Sequence, residues 1–295
     1  MFASGAMEAA ATTMRVEPQV MALVLCAALM HASWNAIVKS DKDRLVSFGM
    51  IMLAGSVAGL LVAPFVPLPK AEAWPYLIAS ILIHNFYYYF LLSAYSHGDL
   101  SHVYPIARGL GPLLVALSSG LFGEALHPHE GVGVLLISLG IVGLAMGQGF
   151  GLPSSARATI FAVLTGITIA GYTVADGLGA RYSGDALGYI AWLNIAEGPW
   201  VMLVALYRRR GAAIVHLRSF WWRGTLGGVI ATAGYGIAIW ALSLGAMAHV
   251  AALRETSVLF AALMGTFLLK ERFGLWRVGA AALIVSGLIL MNVPL

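Results

Sequence analysis

Five charged residues sit inside stretches that are otherwise apolar: Arg108, Asp176, Glu197, Arg254 and Glu255. A charge in hydrocarbon is costly, so each is a candidate for solute binding, ion coupling or gating. Arg108 and Arg254 suit a carboxylate or a similar anion, because the guanidinium presents paired donors in a fixed fork. Asp176, Glu197 and Glu255 are the groups there that could carry a coupling proton. Arg108 and Glu255 stand at equivalent places in two copies of one motif (108 + 147 = 255), which predicts contact between them, direct or through water. Such a pair serves as well to lock two helices as to bind or gate, since a buried ion pair is weak evidence for stability.

Polar and aromatic residues gather around these charges at helical spacing. His31, Trp34 and Asn35 share one face of the first apolar segment, and Tyr172, Thr173 and Asp176 share the matching face of the sixth. Both faces are expected to look into one wet cavity. His84, Tyr87 and Tyr88 form a stripe on the third segment, echoed by Tyr235 on the eighth. Such a stripe serves packing more often than binding, but His84 within it needs a partner. Tyr104 and Arg108 lie four residues apart on the fourth segment, whose Pro105 and Pro112 free backbone carbonyls in mid-span. Glu124 and Glu271 read as turn and interface residues, and His127, His129 and Glu130 as a surface cluster without a metal-ligand pattern.

The elements that must position these residues follow from composition. Sixty per cent of the 295 residues are hydrophobic and ten per cent are charged, against about a quarter charged in a soluble domain. Ten apolar runs, near 20–39, 45–66, 75–96, 101–122, 131–148, 158–180, 187–206, 224–244, 248–269 and 275–293, each approach the ~20 residues that cross a bilayer as helix. They predict an all-α polytopic membrane protein of ten transmembrane helices. Residues 1–19 read as a short tail without a signal peptide's basic start, and Pro67–Pro75, Gly149–Ala158 and Arg208–Arg223 as the longer connectors. The single cysteine, Cys26, excludes a disulfide framework or thiolate cluster within one chain. No cofactor or metal site is expected. The net charge of +4 comes from residues scattered through short loops, which argues for membrane topology and against nucleic acid.

Two stretches align without a gap, Gly98–Glu124 and Gly245–Glu271, at an offset of 147 (245 − 98). Tyr88 with Tyr235 and Gly140 with Gly287 keep the same offset, while Trp34 meets Tyr172 at 138 (172 − 34). Five helices are therefore repeated, the first unit over 20–148 and the second over 158–293. An odd-numbered unit lays its second copy upside down, the inverted repeat of secondary transporters. Loops after odd-numbered segments hold twelve Lys and Arg; loops after even-numbered segments, with the tails, hold Arg15, Lys70 and Arg181. The positive-inside rule puts both termini outside the cytoplasm. Trp74, Trp221 and Trp222 suit interfacial anchors.

The runs HASWNAIVKS (31–40), G-D-x-S-x-x-Y-P-I-A-R (98–108) and ALRETSVLFAALMG (252–265), with the duplication, resemble the EamA family of the drug/metabolite transporter superfamily. The resemblance implies five-plus-five inverted repeats, alternating access and a cavity lined by the first, third, fourth, sixth, eighth and ninth helices. It also implies a bacterial inner-membrane protein whose relatives commonly export amino acids or related metabolites, some by exchange. The family's Tyr-Pro and Arg-Glu-Thr-Ser features fall on Tyr104, Pro105, Arg254, Glu255, Thr256 and Ser257. Its better-known ten-helix members are drawn with cytoplasmic termini, which the charge count here reverses.

Three functions compete on the sequence. A secondary transporter of a small amino-acid-like, anionic or zwitterionic solute, coupled to protons, exchanging, or uncoupled, would use the residues named above. A membrane-embedded lipid-modifying enzyme would need a positioned nucleophile or metal cluster, and no such spacing is present. A noncatalytic membrane partner would be a bundle without a central cavity. Solute identity and oligomeric state are not legible.

Overall fold

The protein, here a computed structural model, is described at residues 16–98, 100–124, 126–146, 155–269 and 275–293. Glu271, Lys270, Arg272 and the tail before Val16 lie outside them. The helices among these residues are α1 (Pro18–Lys39), α2 (Arg44–Val62), α3 (Trp74–His97), α4 (Leu100–Ser119), α5 (Pro128–Met146) and α6 (Ala156–Tyr182). They continue as α7 (Ala186–Arg209), α8 (Gly211–Ser243), α9 (Met247–Arg254), α10 (Ser257–Leu269) and α11 (Leu275–Asn292). Among the described residues nine stretches are long and apolar enough to span a bilayer, with α9 and α10 counted as one, and α5 is a shorter apolar helix. Starts are set by local chemistry. Asp43, Ser155 and Asp185 accept the backbone N–H three residues on at α2, α6 and α7, and Pro18 opens α1.

Opposite direction of the two halves is written in the helix seams. A Cβ on Gly133 of α5 would strike the Gly287 carbonyl of α11, and one on Gly140 would strike that of Ala280. Numbers rise by seven along α5 while they fall by seven along α11, so these equivalent helices run antiparallel. The offset of 147 also turns one contact into the other, since Gly133 maps to Ala280 and Gly287 to Gly140. Ile137 and Ile284, related by the same offset, are both fully buried in this seam. Helices α2 and α7 repeat the pattern, with Gly49 against Met202 and Gly59 against Ala191. Small residues permit this approach where lipid supplies no hydrophobic drive between helices. The chain is thus an all-α polytopic bundle of two inverted halves.

Two departures from the sequence reading matter. The Arg208–Arg223 stretch is not a connector but helix: α7 ends at Arg209, Arg210 with its φ of 49° takes the sharp corner, and α8 then runs for 33 residues. Between Gly211 and Gly224 there is no proline or glycine to stop it. At 1.5 Å per residue α8 is about 50 Å long, beyond a hydrocarbon core of about 30 Å. Trp221 and Trp222 are therefore exposed residues within α8 rather than at its edge. The ninth segment, in turn, is broken. Both the amide and the hydroxyl of Thr256 donate to the Leu253 carbonyl, 3.1 and 2.7 Å, which tightens the chain into a turn between α9 and α10. The break falls on Glu255-Thr256, in the middle of the span.

Candidate functional site: a cavity between the halves and its ionic neighbours

A small cavity of about 10 Å³, room for about one water, lies between the two repeats. Ala27, Ala28, His31 and Trp34 of α1 and Arg108 of α4 line it from the first half; Ala231, Gly234, Tyr235 and Ala238 of α8 and Arg254 of α9 line it from the second. Gly234, without a side chain, lets α8 pack closely on Ala27 and Met30 of α1 beside it. Four helices supply the lining, fewer than the six the resemblance implies. His31 and Trp34 meet edge to face with ring centroids 5.2 Å apart.

The two cavity arginines differ in charge balance. Arg108 is buried, its Nε lies 3.0 Å from Glu255 Oε2, and its terminal nitrogen donates to Ser257 Oγ at 3.0 Å. The contact expected from the repeat is therefore present, at the crossing of α4 with the break after α9. Arg254 is half-buried and lies over the Tyr235 ring, 5.2 Å from its centroid. Among the described residues no carboxylate forms an ion pair with it. A guanidinium held on an aromatic face with its fork unpaired is suited to an anion entering the cavity.

Beside the cavity lies a second cluster. His84 is buried, its Nδ1 2.8 Å from Glu197 Oε1 and 3.0 Å from the Ser80 carbonyl. Its ring stacks on Tyr172 at 4.0 Å, and its Nε2 is 3.4 Å from the Tyr235 hydroxyl. Tyr235 donates to Asp176 Oδ2, and Tyr189 donates to Asp176 Oδ1 at 3.0 Å. Six side chains from α3, α6, α7 and α8 are thus joined, with Tyr235 belonging to both the cluster and the cavity.

Several expected residues land elsewhere than in the cavity wall. Asn35 is exposed and its amide donates to the His31 carbonyl of its own helix, at 2.7 Å. Asp176 is fully buried, and Thr173 bonds back to Ile169, so the shared wet face on α6 is not formed. Tyr88 faces Met52 and Phe48 of α2. Tyr104 packs against the α5–α11 seam. The partner His84 required is Glu197.

Other functional-looking residues escape a sequence reading. Glu124 is not an interface group: it is buried, ion-paired with Arg181, and accepts from the Met247 amide at 2.7 Å. Glu130 is likewise buried, 3.3 Å from His249, and accepts the His127 amide at 2.7 Å. Arg181 did carry a signal, being one of three cations on the depleted side of the charge count. Tyr189 carried none.

The family model of the EamA-like transporter family matches residues 19–146 and again 156–293. A comparison with curated proteins returned no match. Among solved structures, a crystal structure of another protein aligns with a TM-score of 0.76 at 20% identity, covering 94% of this chain and 99% of that one. That likeness concerns the fold. With both halves matched, the chain belongs to the EamA-like transporter family and is an integral multi-pass membrane transporter of the drug/metabolite type.

Proposed function

We propose that this transporter moves a small amphipathic metabolite bearing a carboxylate or comparable anion, by alternating access of the central cavity. Arg254 carries the reading: a cationic fork faces the cavity on the Tyr235 ring, and no described carboxylate pairs with it. Arg108 adds positive potential beside it, though Glu255 balances that charge. Trp34 and Tyr235 offer flat apolar surface for the rest of the solute. The repeats supply the motion, since two inverted halves can rock about the site. The positive-inside count supports a cell-membrane protein with both termini outside, and export is the direction that the family resemblance favours.

The test is flux in proteoliposomes with a radiolabelled mixture of amino acids and short mono- and dicarboxylates. Saturable flux is expected for the wild type, falling at least tenfold in Arg254→Ala and partly recovering in Arg254→Lys, which keeps the charge but loses the fork. Equal flux in wild type and Arg254→Ala removes the assignment.

A further inference from the structure

We propose that His84, Glu197 and Asp176 form a proton-binding site whose state is passed to the cavity through Tyr235; this rests on the transporter reading above. The groups facing the site are Tyr87 and Tyr88 of α3, Tyr172 of α6, Tyr189 of α7, Tyr235 of α8 and Arg254 at the end of α9. Among the described residues, Glu197 has no cation within ion-pair range other than His84, and Asp176 has none.

Charge counting then gives the site its chemistry. With the imidazole charged and both carboxylates ionised, the cluster is net negative inside the bundle, where uncompensated charge is costly. One further proton makes it neutral. The step is a simple transfer: a proton from water on one side binds a carboxylate oxygen and is released to water on the other, and no electrons move.

Tyr235 is the reporter because its one hydroxyl touches both His84 and Asp176. When His84 is an imidazolium, Nδ1–H serves Glu197 and the Ser80 carbonyl, Nε2–H points at the Tyr235 oxygen, and the tyrosine hydrogen goes to Asp176. When Asp176 takes the added proton it becomes a donor as well, its hold on the tyrosine hydrogen weakens, and the Tyr235 hydroxyl must re-orient. The ring that turns or tightens is the one beneath Arg254. Charge in the cluster thereby alters the seat of the free guanidinium. The arrangement is one-sided: at the repeat offset His84 corresponds to Ala231 (84 + 147 = 231), so the other half cannot build a copy.

Infrared difference spectra of the protein in a phosphatidylcholine–phosphatidylglycerol film, stepped between about pH 8 and about pH 5, a range in which a buried carboxyl can take a proton, test proton binding without any solute. A protonated-carboxyl band is expected in the wild-type-minus-variant difference for Glu197→Gln or Asp176→Asn, and loss in one of them names the oxygen that takes the proton. A flat difference for both, in variants with wild-type helicity and elution, overturns the site. Tyr235→Phe is expected to shift that band by removing a hydrogen bond while keeping it. In proteoliposomes loaded with a pH-sensitive dye, the amino-acid and carboxylate mixture is expected to drive proton entry that both carboxylate variants lose. Solute flux without proton flux overturns the coupling. If no solute moves, the carboxylate-solute reading fails and the infrared difference alone decides the proton site.

Discussion

Arg181 and Glu124 tie together the ends of four helices on the even-loop side of the cavity. Glu124, just past α4, pairs with Arg181 at the end of α6, and caps the first amide of α9 at Met247. Arg181 in turn donates twice, from Nε and a terminal nitrogen, to the Leu242 carbonyl at the end of α8, 3.1 and 2.9 Å. Beneath this knot Val16, Val20 and Val24 pack against Leu242, Met247 and Val250. Helices α4, α8 and α9 all supply cavity residues. Under the alternating access proposed above, opening the cavity toward this side is expected to part the Arg181–Glu124 pair.

Replacing Glu124 by Gln keeps the shape and removes the charge. Arg181 is partly exposed, so the closed arrangement is expected to lose about 1–3 kcal/mol rather than the full cost of breaking a buried pair, and each ~1.4 kcal/mol changes a population tenfold. In a Cys26→Ser background, a cysteine placed at Ala238 is expected to react with a soluble thiol reagent from the even-loop side about tenfold faster in Glu124→Gln. An unchanged rate in a folded variant sinks the latch.

Arg108→Ala leaves Glu255 buried without its cation. The expected cost is about 3–5 kcal/mol, because an unpaired carboxylate in the bundle is worse than no carboxylate. Arg108→Gln with Glu255→Gln removes both charges, and thermal unfolding in detergent is expected to return most of the loss. Flux separates the two roles the sequence left open. If the double variant folds and still transports at the wild-type rate, the pair only locks α4 to the turn after α9; the expectation is that flux is lost.

The inverted repeat was legible because Gly98–Glu124 and Gly245–Glu271 align without a gap, and Arg108 with Glu255 fell out of the same offset. What the sequence hid were contacts between elements without a shared period. Glu124 looks like a boundary residue until three other helix ends close over it. Glu197 looks like a lone charge until His84, from another half of the chain, reaches it. Asp176 has the right helical spacing to face the cavity, yet two tyrosines from α7 and α8 take both its oxygens. Helix α8 was misjudged because arginine and tryptophan read as loop edge, whereas both are tolerated inside a helix that outruns the hydrocarbon.

Topology has a direct check. Leu244 and Val215 are both exposed, the first in the loop after α8 and the second near its start. In the Cys26→Ser background, Leu244→Cys is expected to react with an impermeant thiol reagent on intact cells, and Val215→Cys only after permeabilisation. The reverse pattern would place both termini in the cytoplasm and overrule the count of lysines and arginines.

At the opposite end of the bundle, Asp41 in the α1–α2 connection accepts from Ser47 and sits 2.6 Å from His216 Nε2 of α8. Burial pushes its carboxyl up, but the hydrogen bonds from Ser47 and His216 outweigh that and hold it below its ordinary value. A carboxylate whose folded value is depressed contributes stability that is present above its unfolded value, about pH 4, and is lost as pH falls through the folded one. The contact is near the surface, so its worth is expected to be about 1 kcal/mol or less. Asp41→Asn is expected to lower the melting temperature by a few degrees at neutral pH and to melt with the wild type once the pH has fallen well below the ordinary carboxylate range. Melting curves in detergent across that range decide it: a gap between the two proteins that persists undiminished in acid would show that the Asp41 charge is not what binds this connection to α8.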